Sequence, residues 1–197
     1  MASLVLTGDT SGQVTIAAPA VAGTTTLTLP ALTGTILTNK TAGTVLQVVS
    51  STKTDTFSST TTGSWLDVTG LSLSITPSSA SSKIMIFGRV TGNGQAGTTR
   101  MQMRLVRDST AISVGDASGS RVQVSGNELF SGGADDLFGS TAFFLDSPAT
   151  TSSTTYKLQV LNGNSAGTVY VNRTQNNSNL AAFPVATSSI TVMEIAA

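Results

Sequence analysis

Asp135 and Asp136 form the one adjacent pair of carboxylates in the sequence, within a Ser131–Gly139 stretch that reads as a loop. Calcium and magnesium need several oxygen ligands, so two aspartates in a turn are a weak metal signal. They read first as a solvated turn beside Phe138, and Asp108 and Asp116 sit in turn-like settings too. Ten acids allow the carboxylate pair of a glycosidase arithmetically, but none stands in a recognisable motif. A serine nucleophile needs a base. With no histidine, that base would be a lysine such as Lys40, Lys53 or Lys83. Ser79 precedes Lys83 by four residues rather than three, in a turn-like run. The absence of His and Cys removes the commonest zinc ligand, a thiolate nucleophile and any disulfide. Gly92–Gly97 fits G-x-G-x-x-G, yet a dinucleotide site needs a helix after it, and Thr98–Arg107 alternates like a strand. The expectation is no catalytic, cofactor or metal site, and no enzyme.

Two further constellations could bind rather than react. Arg100 and Arg104 share one face of an alternating strand whose other face is Met101, Met103 and Leu105. They could meet an anionic sugar or phosphate, or serve as a solubilising surface or an ion pair between subunits. Trp65 and Tyr170 could stack on sugar, but aromatics make up only 5 % of the chain and a core needs them. Asn172-Arg173-Thr174 and Asn39-Lys40-Thr41 match the glycosylation sequon, which means nothing without a secretory signal.

The elements that must position these residues are strands. Of 197 residues, 60 are Ser or Thr, while charged residues reach only 10 %, far below the usual ~25 %. Disorder goes with low hydrophobicity and high net charge. Here 39 % of residues are apolar and the net charge is zero. That neutrality gives no pull toward nucleic acid or an anionic membrane. Met1-Ala2-Ser3-Leu4 lacks the marks of a secretory leader, and no apolar run is long enough to span a membrane as a helix. Synthesis in a cytoplasm is the expectation.

No stretch keeps apolar residues at helical spacing over three turns. Strand patterns instead recur every ten or so residues: Thr44–Ser50, Thr52–Ser59, Trp65–Thr76, Lys83–Val90, Arg100–Arg107, Ala111–Val114, Arg121–Ser125, Ser140–Asp146, Thr155–Leu161, Thr168–Thr174 and Ser189–Ile195. Short strands at that spacing with polar turns predict an all-β sandwich or jelly roll over residues 44–197. In the last strand Ile190, Val192 and Glu194 face one way, and Thr191, Met193 and Ile195 the other. Apolar groups on both faces imply burial on both, in the middle of a sheet or at a subunit interface.

Residues 1–40 differ. The first 52 residues carry two charges, Asp9 and Lys40. Leu4–Leu6, Gln13–Ile16, Thr26–Leu29 and Thr35–Leu37 alternate as short strands. So few large side chains cannot close a core alone. The missing apolar surface must come from elsewhere in the chain or from another copy, and another copy is the reading adopted.

Several stretches resemble bacteriophage fibre and virion surface proteins. They are Thr7–Ile16 and Leu27–Thr38, then Leu71–Ile86 with its Ile75-Thr76-Pro77-Ser78-Ser79-Ala80-Ser81-Ser82-Lys83-Ile84 core, Tyr170–Gln175 and Ser189–Ile195. The resemblance implies a homotrimer with a knob of tumour-necrosis-factor-like or jelly-roll topology. It implies an N-terminal part, residues 1–40, that docks on other virion proteins of capsid or tail, here through Leu4, Leu6, Val14, Ile16, Leu27 and Leu29. Met193, Ile195, Val192 and Phe144 would line the three-fold axis. A host-surface glycan or receptor would meet the loops Gly92–Thr99, Ser131–Gly139 and Gln175–Pro184, with Arg100, Arg104, Asn176 and Asn177 as contacts. At 197 residues there is little room for a long shaft. A compact head fibre, capsid decoration protein or small tail appendage is expected, assembled in the host cytoplasm, with no cofactor, nucleic acid or membrane insertion.

Overall fold

The computed structural model describes residues 3–7, 11–17, 21, 23–24, 41–130, 132–163 and 167–197. The chain divides into two units, Met1–Ile36 and Leu37–Ala197.

The first unit holds an antiparallel hairpin, β1 (Ser3–Thr7) and β2 (Gln13–Ala17), whose register sets Leu4 opposite Ile16 and Leu6 opposite Val14. Two strands alone are marginal in water. Val5, Leu6 and Ile16 remain exposed. Leu27 and Leu29, expected to dock, lie outside the described residues.

The second unit holds β3 (Val45–Lys53), β4 (Phe57–Ser59), β5 (Trp65–Ile75), β6 (Lys83–Gly94), β7 (Met101–Arg107), β8 (Thr110–Ile112), β9 (Phe138–Asp146), β10 (Thr154–Asn162), β11 (Val169–Val171) and β12 (Ser188–Ile195). Among the described residues there is no helix. One edge of β6 pairs with β12 over residues 83–89 and then with β11 over 92–94; its other edge pairs with β9. β3 and β4 continue the line outside β12 and β11. The first sheet is therefore a four-strand-wide layer, β3/β4–β12/β11–β6–β9. The second runs β5–β10–β7–β8. Every ladder is antiparallel. Most successive strands change sheet, and the two four-strand orders are those of a jelly roll, two Greek keys folded face to face.

Alternation fills the space between the sheets. Leu71 and Ile75 of β5, Met103 and Leu105 of β7 and Leu158 of β10 meet Ile84 and Ile86 of β6 and Ile190 and Val192 of β12 in one core. Each such side chain contributes roughly 1.5–3 kcal/mol by leaving water. The all-β sandwich expected from the sequence is the observed fold.

Two local expectations are corrected. β6 does not end at Val90 but runs through Gly92-Asn93-Gly94. Arg121–Ser125 is not a strand: the Ser125 backbone N–H donates to the Met103 carbonyl and its Oγ accepts from the Leu105 N–H, so the segment braces β7 without forming a ladder.

Candidate functional site

The first two G-x-G-x-x-G glycines are packing residues, and the third, Gly97, takes a turn conformation at φ 65°. A Cβ on Gly92 would stand 2.2 Å from the Tyr170 carbonyl oxygen, and one on Gly94 2.1 Å from that of Thr99. The backbone passes there too closely for any side chain, and β7, not a helix, follows. Asp135 and Asp136 are exposed, and the Asp136 carboxylate accepts from the Gly133 N–H at 3.3 Å. Among the described residues no three acids gather into a metal-holding group. Asp116 is exposed. Asp108 sits in the β7–β8 turn at φ 52° and ties it to β10: its N–H donates to the Thr155 carbonyl and its Oδ1 accepts from the Thr155 N–H. Asn172 of the sequon is fully buried.

The loops expected to bind a ligand do meet. The Asn93 Nδ2 donates to the Asp136 carbonyl, the Ala96 N–H to the Gln175 Oε1, and the Asn176 N–H to the Ala134 carbonyl. Asn177 is exposed. Arg100 and Arg104 stand outside this cluster, on the outer face of the second sheet, and both are partnered. Arg100 pairs with Glu128 and lies 4.6 Å over the Phe130 ring. Arg104 lies 4.4 Å over the Trp65 ring and donates to the Gln159 Oε1 at 2.7 Å. Gln159 in turn donates to Asp67 at 2.6 Å, and Lys157 does so at 2.8 Å. Partial burial pushes the Asp67 carboxyl up. The hydrogen bonds of Lys157 and Gln159, with the charges of Lys157 and Arg104, outweigh it and hold the group below its usual range. The outer face of the second sheet is thus closed by its own charges and one indole.

The outer face of the first sheet is the opposite. Register places Val48, Met193, Met85 and Leu145 in one row across all four strands, with Phe87 and Phe143 in the next row. Ile195 continues β12 beside Val45. Val45, Val48, Phe87, Phe143 and Leu145 are 38–64 % exposed. Contiguous exposed apolar surface of this kind marks an interaction site. Ser50, Thr52, Thr141 and Ser189 border it, and neither acid of these four strands faces outward: Asp146 and Glu194 are buried. Met193 and Ile195 lie on this face. Val192 and Phe144 do not: Val192 is fully buried in the sandwich and the half-buried Phe144 packs against the same core, so both side chains turn to the inner face.

Three polar centres were not read from the sequence as buried pins. Glu194 has no exposed surface, yet its Oε1 accepts from the Ser78 N–H and hydroxyl, each at 2.7 Å, and its Oε2 from the Gln47 amide at 2.6 Å. Burial raises its pKa, but these donors outweigh that and hold the carboxyl below its ordinary value. Arg107 donates to both Asp146 oxygens at 2.8 and 2.9 Å, and the Tyr156 hydroxyl donates to Asp146 at 2.7 Å. Burial, and then the Asp146 carboxylate, push the Tyr156 phenol far above its usual pKa. The Asn172 amide donates to the Lys53 and Asp55 carbonyls and accepts from the Ser188 hydroxyl. It bridges the break between β3 and β4. All three are structural pins. The sequence signal for Glu194 was its place on the Ile190–Val192 face; the signal for the exposed face was Met85 and Phe87 opposite Ile84 and Ile86.

No family model and no curated protein matches the chain. Solved structures that match in shape include that of the infectious bursal disease virus Gt strain. Identity there is 15 %, the TM-score 0.40, and the match covers 98 % of this chain and 46 % of that one. The Gx strain structure gives 16 %, 0.38, 98 % and 50 %. The VP2 subviral particle of that virus gives 15 %, 0.37, 76 % and 41 %. The chain spans half or less of the length of these structures.

Proposed function

We propose that this chain is a structural component of a virus particle, a homotrimeric phage fibre or capsid decoration protein whose N-terminal unit docks and whose jelly roll is displayed. The observation that carries the reading is the contrast between the two outer sheet faces. One is closed by Arg104, Gln159, Asp67 and Lys157. The other leaves Val45, Val48 and Leu145 about half exposed around Met85 and Met193. A second copy is the occupant that the lower part of this face fits, the row Val48–Met193–Met85–Leu145 with Val45 beside it and away from Arg89: this part is apolar and no acid of its strands faces outward, the anatomy of a subunit interface. Closed rotational symmetry buries such a face without leaving open ends.

The hairpin β1–β2 supports the same reading. Its exposed Val5, Leu6 and Ile16 need a partner surface, which two further copies or a capsid protein supply. Jelly rolls recur in capsid proteins and lectins; that is fold-level analogy and adds only compatibility. The resemblance of Thr7–Ile16, Leu71–Ile86 and Ser189–Ile195 to phage virion proteins points the same way, and a host glycan is the ligand class that goes with it.

Light scattering after gel filtration tests this on the full chain and on residues 42–197. A full-chain mass about three times the 20.0 kDa of one copy is expected, with residues 42–197 still trimeric through the sheet face. Monomers of both would sink the trimeric reading.

A further inference from the structure

We infer that the upper part of the exposed sheet face is a binding site for an acidic saccharide, a sugar ring bearing a carboxylate. A depression of about 210 Å³ lies there, lined by Phe87, Arg89, Thr141, Phe143, Ser189 and Thr191. Three features select the ligand. First, Arg89 is exposed at the centre of the sheet and forms none of the four ion pairs among the described residues; Arg100 and Arg107 are held by Glu128 and Asp146. Two of the five N–H donors of its guanidinium form a fork that matches a carboxylate. Second, Phe143 is 64 % exposed and is braced edge-on by Phe87, 5.5 Å between centroids at 78°. A rigid exposed ring beside short polar groups suits the C–H face of a sugar. Third, Thr141 and Ser189 bring hydroxyls that both donate and accept, as sugar hydroxyls do, while the Thr191 hydroxyl beside them is paired with that of Ser50 at 2.7 Å.

A peptide fits less well. The floor is the middle of a sheet: β6 pairs with β9 on one edge and β12 on the other. It therefore offers no free backbone edge for an added strand. The contact is also not where the loop cluster would put it. The residues stand on three paired strands, so their spacing is fixed before any ligand arrives.

Amide-resolved NMR titration of the full chain with D-glucuronic acid, D-glucose, acetate and a tripeptide with a free carboxylate tests the inference. Glucuronate is expected to shift amides around Phe87, Arg89, Thr141, Phe143 and Ser189, with glucose and acetate each about tenfold weaker. Arg89→Gln should abolish the preference for glucuronate over glucose, and Phe143→Ala should weaken both sugars. Both positions are exposed, and an unchanged melting temperature separates lost binding from lost fold. Acetate or the tripeptide equalling glucuronate, shifts confined to the loops, or no shift at tens of millimolar would each overturn the inference. It rests on the virion-surface reading only for the source of the sugar. A trimer that ignores glucuronate sinks this inference alone; a monomer that binds it sinks the trimer alone.

Discussion

One carboxylate oxygen of Glu194 accepts both the backbone N–H and the hydroxyl of Ser78, at 2.7 Å each. Glu194 belongs to the first sheet, and Ser78 lies on the crossover from β5 in the second sheet to β6 in the first. The charge therefore fixes where the chain passes between sheets. The Gln47 amide strengthens the clamp by donating to the Thr76 carbonyl as well as to Glu194.

Stability should fall in acid because of this group. The folded pKa of Glu194 is held below its ordinary 4.5. Its contribution is therefore complete above about that value and is lost as pH falls through the lower folded value. Thermal melts from pH 7 to pH 3 check this. Glu194→Gln should cost about 2–4 kcal/mol at neutral pH, because buried donors lose an ionic acceptor, and should flatten the acid limb. An acid limb unchanged in the variant would assign it to other carboxylates.

Asn172 combines a left-handed backbone, φ 62°, with three side-chain hydrogen bonds in a buried site. Asparagine tolerates that conformation better than most residues. Asn172→Ala should cost about 2–4 kcal/mol, from unpaired Lys53 and Asp55 carbonyls and from backbone strain. Asn172→Gly removes the strain but not the lost bonds, so it should fall between wild type and alanine. Urea melts rank the three; alanine matching wild type would contradict the bridging role.

The alternation of β7 made its faces readable from the sequence, because Met101, Met103 and Leu105 have no polar residue among them. β6 was read short because Gly92-Asn93-Gly94 has the composition of a turn. Its glycines answer instead to the carbonyls of Tyr170 and Thr99, one of them from a strand far along the chain. Glu194 was placed on the buried Ile190–Val192 face, but its donors and the burial of Asp146 were not legible for a related reason. A charge in a strand reads as solvent-facing unless its donors are known, and Ser78 and Gln47 lie 116 and 147 residues from Glu194. The exposed apolar face was half legible. Alternation put Met193 and Ile195 on the face of β12 opposite Ile190 and Val192 without telling which face is the outer one, and the apolar run Phe143, Phe144 and Leu145 does not announce which residue turns inward.

Tyr156 should resist ionisation. Its hydroxyl is buried and donates to Asp146, and its pKa is raised above 10.0. That contribution to stability is complete below about 10 and is lost as pH rises. In a titration followed by phenolate absorbance, the Tyr156 signal should appear only together with the loss of β-sheet circular dichroism. Tyr156→Phe should cost about 1–2 kcal/mol and delete that step. A phenolate that forms while the sheet signal is intact would contradict the burial argument.

Met193 and Val192 are neighbours in β12 on opposite faces, so one substitution at each separates assembly from folding. Met193→Asp places a charge at the centre of the row Val48–Met193–Met85–Leu145, where water is available in the monomer but not against another copy. Burying that charge costs several kcal/mol, enough to split the proposed oligomer while the melting temperature of the isolated jelly roll stays nearly unchanged. Val192→Ala instead opens a cavity in the sandwich core and should cost about 2–3 kcal/mol, with the assembly state retained below the melting transition. Light scattering and thermal melts on the two variants read the two effects. An unchanged mass for Met193→Asp would remove this sheet face from the interface, whichever way the hairpin associates.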